Sequence, residues 1–177
     1  DGELTEEDAE NIHNLVEFQG SGLILLPGAR GRHLTLRNTA LAELYPVVLD
    51  NNRPKGIGYW QESRFDLTSK GRAHRLTMLG HSPAENQRLW RSILPGFHWN
   101  AAVIKERPGA ELLAVHSAEQ TEYGRMPILA TRPFGNGQTL FMGTAESWRW
   151  RRGVEDLYHY RFWGQVIRWM AHKRHMA

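Results

Sequence analysis

Leu15-Val16-Glu17-Phe18-Gln19-Gly20-Ser21-Gly22-Leu23-Ile24-Leu25-Leu26-Pro27 is the stretch whose reading decides the fold. Its first residues close a helix. Ala9, Ile12, Leu15 and Val16 fall on one face at helical spacing. Thr5, with Asp8 three residues on, forms a capping box in which Asp stands for the usual Glu or Gln, and Glu6 and Glu7 suit the positive helix start. Gly20-Ser21-Gly22 then turns the chain into an apolar run that reads as a buried strand. A helix, a glycine turn and a fully apolar strand predict a parallel sheet covered on both faces.

Further along, Pro27-Gly28-Ala29-Arg30-Gly31 leaves the carboxyl end of that strand, where open α/β sheets build their sites. A short helix is expected over residues 39–44, then a polar stretch over 50–61. Ser82-Pro83-Ala84-Glu85 is a strong helix start, and that helix should carry Leu89, Trp90 and Ile93 and stop before Pro95. Two strand pairs follow: 101–105 with 111–116 around Pro108-Gly109, and 126–131 with 138–143 around Phe134-Gly135-Asn136-Gly137. A last helix is expected over 154–174, burying Leu157, Phe162, Val166, Trp169 and Met170, with Trp163 and Ile167 widening that side. No repeat, low-complexity tract or linker divides the chain, so residues 1–177 read as one domain.

Composition narrows the chemistry. The chain has 177 residues and no cysteine, which excludes disulfides, thiolate zinc sites and cysteine nucleophiles. Its nine histidines form no HxH or HExxH cluster, so neither a metal nor another cofactor is expected. The net charge is +3, with the basic excess local to Arg149, Arg151, Arg152, Arg161, Arg168, Lys173 and Arg174; this is too local for a nucleic-acid protein. No apolar run approaches the roughly 20 residues that span a bilayer, so the chain reads as a soluble domain.

Three segments carry a family resemblance: Leu15 to Ile24 with its glycine turn; Gly137-Gln138-Thr139-Leu140-Phe141-Met142-Gly143-Thr144; and Trp148-Arg149-Trp150-Arg151-Arg152-Gly153, continuing to Phe162-Trp163 and Arg168-Trp169. Together they resemble the class I glutamine amidotransferase-like superfamily, in particular the divergent domains of large bacterial membrane-associated proteins. The resemblance implies a flavodoxin-like open sheet with flanking helices, with mixed strands in the C-terminal half. It also implies a β-α-β portion ahead of the first helix that is not found here, so the chain is expected to be a fragment of a longer parent. That parent would be membrane-associated, with the extracytoplasmic side favoured for this domain. Active members carry a cysteine on the turn after the strand matching residues 23–26, with a histidine and a glutamate near a late strand. Here the turn reads Pro27-Gly28-Ala29-Arg30 and the late position Gly143-Thr144-Ala145-Glu146, so Glu146 alone remains and no triad can form.

The candidate ligand-binding residues are Gly28, Arg30, Arg32, Glu146, Trp148 and Arg149. Gly28 and Gly31 could offer backbone N–H groups, and Arg30 and Arg32 charge, to an anion; a solvated loop is the plainer reading. Alternating Trp and Arg after Glu146, read as an extended segment, put rings on one side and guanidiniums on the other. They could grip a carboxylate or phosphate and stack on a sugar. The plainer reading has the rings plugging the core and the arginines pairing with Glu146, Glu155 or Asp156. A pocket between Arg30 and Glu146 is the expected site. The chain thus reads as a non-catalytic binding domain, serving other parts of its parent or envelope components. A small anionic or sugar ligand and a homodimer formed over a bare sheet edge complete the expected partners. The alternatives are a hydrolase using Ser21, Thr144 or Ser147 with His116, and a carbohydrate-binding module.

Overall fold

The structure, a computed structural model, describes residues 4–153 and 156–172. In chain order its elements are α1 (Glu6–Glu17), β1 (Gly22–Leu25), β2 (Val47–Leu49), β3 (Ile57–Ser63), β4 (Phe65–Leu67), α2 (Ser69–Ala73), α3 (Pro83–Arg88), β5 (Phe97–Asn100), β6 (Val103–Glu106), β7 (Glu111–Thr121), β8 (Gly124–Phe134), β9 (Gly137–Met142) and α4 (Leu157–His172). Short 3-10 turns, among them Ala40–Leu44 and Glu146–Arg151, join them, and a π-helical turn, Leu89–Ile93, prolongs α3.

The fold is mixed α/β around an open five-stranded sheet of order β1-β9-β8-β7-β4. Only β1 and β9 run parallel, with Gly22 opposite Gln138 and Leu25 opposite Phe141; the other pairs are antiparallel. Strands β2 with β6, and β3 with β5, form two separate ribbons. β9 is buried along its whole length and divides the core by the period of a strand. Leu140 and Met142 join Phe65, Leu113, Ile128, Trp150 and Phe162 in the larger cluster, which includes Val166 and Met170 of α4. Phe141 joins Leu25, Tyr45, Val47, Val103 and Met126 in a second one. α1 buries Ala9 and Val16 against Leu41 and Leu44.

Several sequence expectations hold in detail. Thr5 Oγ1 accepts from Asp8 N at 3.1 Å while Asp8 Oδ2 accepts from Thr5 N at 3.0 Å, completing the capping box. Ser82 caps α3 by accepting from Glu85 N. Four others need correction. The parallel sheet reduces to one parallel pair. Residues 101–105 and 111–116 form no hairpin; β6 pairs with β2 instead, and β7 lies between β4 and β8. β7 and β8 run far beyond their apolar halves and meet at residues 122–123, because the polar end of this hairpin lies largely in solvent, where no apolar alternation marks a strand. In α4, Leu157 and Ile167 are exposed, Ile167 standing about 100° round the helix from the buried Val166. The ends expected for that helix, Val154 and Arg174, lie outside the described residues.

Candidate functional site

The carboxyl ends of β1 and β9 lie side by side, which brings residues 27–31 and 143–146 to one end of the sheet. Gly143 is fixed there on both sides: its N–H donates to Ile128 O at 2.7 Å and its carbonyl accepts from Ala101 N at 2.8 Å. Thr144 Oγ1 accepts from Glu146 N at 3.2 Å. Glu146 faces inward. Its Oε2 accepts from His98 N at 2.8 Å and lies 2.9 Å from Arg149 Nε, so this carboxylate ties the 3-10 turn to β5.

That turn replaces the extended Trp-Arg segment expected from the sequence, and its tighter period separates the two tryptophans. Trp150 is fully buried and donates its indole N–H to Pro95 O at 3.0 Å. Trp148 is 44% exposed, and the guanidiniums of Arg149 and Arg152 lie 5.1 and 5.0 Å from its ring centre. Arg151 pairs with Asp156 at 3.0 Å. The core-plug arrangement therefore holds for Trp150, and the ion-pair arrangement for Arg149 and Arg151. Glu155 lies outside the described residues.

Gly28, Arg30 and Arg32 are all solvent-exposed. Gly31 is left-handed at φ 72°, and a Cβ there would meet Pro54 O at 2.5 Å, so this loop is pressed against residues 53–56. Gly31 N donates to Gly28 O at 3.0 Å, which uses one N–H expected to serve an anion. The two larger cavities described are lined by neither Arg30 nor Glu146. The smaller, of about 180 Å³, takes His33 and Arg37 from the 3-10 turn Arg32–Asn38 that follows this loop, with Tyr45, Asn51 and Arg107.

Two of the hydroxyls considered as nucleophiles, those of Thr144 and Ser147, are engaged elsewhere. Ser147 Oγ accepts from Trp163 Nε1 at 3.3 Å, and His159 Nδ1 donates to the Ser147 carbonyl at 3.1 Å. His116, buried within β7, accepts at Nδ1 from Ala118 N at 2.9 Å and Glu119 N at 2.8 Å, which leaves its proton on Nε2. Burial first, and Arg125 second, push its pKa down to about 4. Its ring packs 4.8 Å from that of Tyr59 and 5.5 Å from that of Phe97. His116 Nε2 is buried without a hydrogen-bond partner among the described residues, and burial raises the Tyr59 phenol. Among those residues, no group of three or more His, Asp or Glu could hold a metal ion.

Sequence reasoning passed over Trp60, which stands fully exposed on β3, and the groove residues Arg75, Gln138, Gln165, Arg168 and Trp169. Gln165, Arg168 and Trp169 share a helix face at i, i+3 and i+4, but no spacing links them to Arg75 or Gln138; a single tryptophan amid the polar stretch of residues 50–61 was the available signal for Trp60.

No protein-family model matches the chain, and no curated protein does. Two solved structures are similar. Cytoplasmic Protein STM3548 from Salmonella typhimurium superposes with a TM-score of 0.67 at 17% identity, over 92% of this chain and 60% of that one. Cytoplasmic Protein STM1381 from Salmonella typhimurium LT2 gives 0.59 at 18%, with the same coverage. The likeness is one of fold alone. The chain spans about 60% of the length of each neighbour. No helix among the described residues is long and apolar enough to cross a membrane.

Proposed function

We propose that the chain is a non-catalytic, amidotransferase-like binding domain of flavodoxin-like descent, belonging to a larger envelope-associated bacterial protein. The observation that carries this reading is the state of Glu146. At the place where the resemblance puts a catalytic carboxylate, Glu146 spends its Oε2 on His98 N and Arg149, and the adjacent 27–31 turn has no cysteine to serve. A carboxylate with a backbone N–H and a guanidinium on one oxygen is a structural anchor. The greater length of both structural neighbours supports a longer parent. Incubation with glutamine should release no glutamate above a buffer blank, and iodoacetamide should change nothing. Turnover proportional to protein concentration would sink the reading.

The partner surface we assign to this domain is the free edge of β1. β1 ends the sheet, and its outer side has no strand beside it among the described residues. Leu15 and Phe18 just before it, Leu26 just after it and Ile167 of α4 are exposed apolar side chains. An unpaired edge with apolar neighbours favours strand addition, by a second copy when nothing else is present. Light scattering across a dilution series should give a dimer mass that dissociates on dilution, and Leu26→Lys, at an exposed position beside the edge, should shift it to monomer. A monomer at every micromolar concentration would exclude the self-pairing.

A carbohydrate-binding reading draws on Trp60 and on the exposed part of Trp148. Arg149 and Arg152 already lie over the Trp148 ring, so a sugar stacking there would have to displace a guanidinium.

A further inference from the structure

A groove of about 990 Å³ opens at the amino end of the β1–β9 pair, away from Glu146 and the 27–31 turn, and is lined by His74, Arg75, Gln138, Gln165, Arg168 and Trp169 among others. Its walls are fastened by their own side chains. Gln138 Nε2 donates to Trp169 O at 2.5 Å, holding the end of α4 to the start of β9. Gln165 Nε2 donates to Met78 O at 2.9 Å, and the His74 ring meets Trp169 edge-on at 5.8 Å, holding α4 to the segment after α2. The groove is preformed and within the size range of small-molecule sites.

Three features of this lining lack a partner or are open to one. Arg75 and Arg168 are exposed and make no ion pair among the described residues. Gln165 Oε1 is buried and accepts no hydrogen bond. Trp169 is only partly buried. Glu111, which pairs with His74 Nε2 at 3.7 Å, is not part of the lining, and the lining holds no carboxylate among the described residues.

We propose that this groove binds a small phosphorylated ligand carrying an aromatic ring, of the nucleotide class. Guanidiniums without carboxylates recognise phosphate, whose oxygens match their planar fork. The open part of the Trp169 indole offers a flat ring a surface on which to stack. Gln165 Oε1 requires a donor, which an esterified phosphate dianion does not have and a base amine or a sugar hydroxyl does. Inorganic phosphate, which keeps an O–H at neutral pH, would satisfy the arginines and the amide but leave the ring unused. This site stands whether or not the amidotransferase-like reading does, because it shares no residue with Glu146 or the 27–31 turn.

The test is calorimetric titration of the full chain with ADP, adenosine and inorganic pyrophosphate. ADP should bind, with adenosine and pyrophosphate each at least about tenfold weaker. Arg75→Gln and Arg168→Gln should each weaken ADP about tenfold, the loss of one charged hydrogen-bond donor. Both positions are exposed, and unchanged circular dichroism would confirm that the variants fold. Lys105→Gln removes the same charge outside the lining and should leave ADP affinity unaltered. Absence of ADP binding at millimolar concentration would overturn the proposal, as would affinity untouched by both arginine variants. Equal affinity for ADP and pyrophosphate would overturn it too, by showing that ring and amide play no part.

Discussion

Replacing Trp150 with alanine is expected to destabilise the protein by about 3–5 kcal/mol, the range for truncating a fully buried large aromatic side chain. Trp150 is 0% exposed and sits where three elements converge. Its ring meets Trp90 at 5.4 Å, Phe162 at 5.3 Å and Phe65 at 5.8 Å, each edge-on, the geometry in which aromatic quadrupoles attract. Its indole N–H also satisfies Pro95 O. Alanine would leave a cavity bounded by rings on rigid elements, and a carbonyl without its donor. Trp150→Phe should retain most of the packing and lose the hydrogen bond, about 1 kcal/mol of it. Trp163 and Trp169 lie at the margin of the same cluster, only partly buried, so their truncation should cost less. Urea unfolding with a common slope would measure all four, and a loss under about 1 kcal/mol for Trp150→Ala would show that the cluster repacks.

Trp150 also shows how far the sequence could be read. The Trp-Arg cluster was visible as unusual, and burial of its rings was one of two stated outcomes. What decides between them is the 3-10 turn at Glu146–Arg151, which leaves Trp148 half in solvent and Trp150 at the centre of the core. A hexapeptide with two tryptophans and two arginines has no periodicity that separates a strand from such a turn. The α1–β1 stretch was legible because cap, amphipathic face and glycine turn all agree, which is the consistency across levels that makes a local reading dependable. β3, β4 and α2 were not, since residues 50–73 are polar and several of their side chains face solvent; these elements exist through contacts with β5 and β7. The sheet order was likewise hidden. Pro108-Gly109 does make a turn, yet the strand it follows pairs with β2, residues distant in sequence. The groove at Arg75 and Arg168 was beyond reach for the same reason: its residues meet only through the packing of α4 over the sheet.

Gly71→Ala is the second large effect, and it sets two principles against each other. By propensity the change should stabilise α2, since alanine is favoured over glycine in a helix by about 1 kcal/mol. Nothing in the backbone opposes it, because Gly71 is not among the glycines with positive φ. The close approach of α2 to β7 does. A Cβ at residue 71 would lie 1.8 Å from Leu113 O and 2.8 Å from Leu113 C, backbone atoms of a strand held between β4 and β8. The helix is equally fixed. Thr68 Oγ1 accepts from Gly71 N at 2.9 Å and donates to Leu112 O at 2.6 Å, Thr68 N donates to Leu113 O at 3.0 Å, and Thr77 Oγ1 donates to Gly71 O. To admit the methyl group, α2 must lift from the sheet and give up several of these bonds together. Over-packing of this kind costs about 1–3 kcal/mol and occasionally more, and a contact with immovable backbone belongs at the upper end. The net expectation is a loss of about 2 kcal/mol, read from the urea midpoint at unchanged slope. A gain in stability would mean that α2 rides freely on β7 and that its Thr68 cap does not anchor it, in which case His74 and Arg75, which follow directly, could not hold one wall of the groove in place.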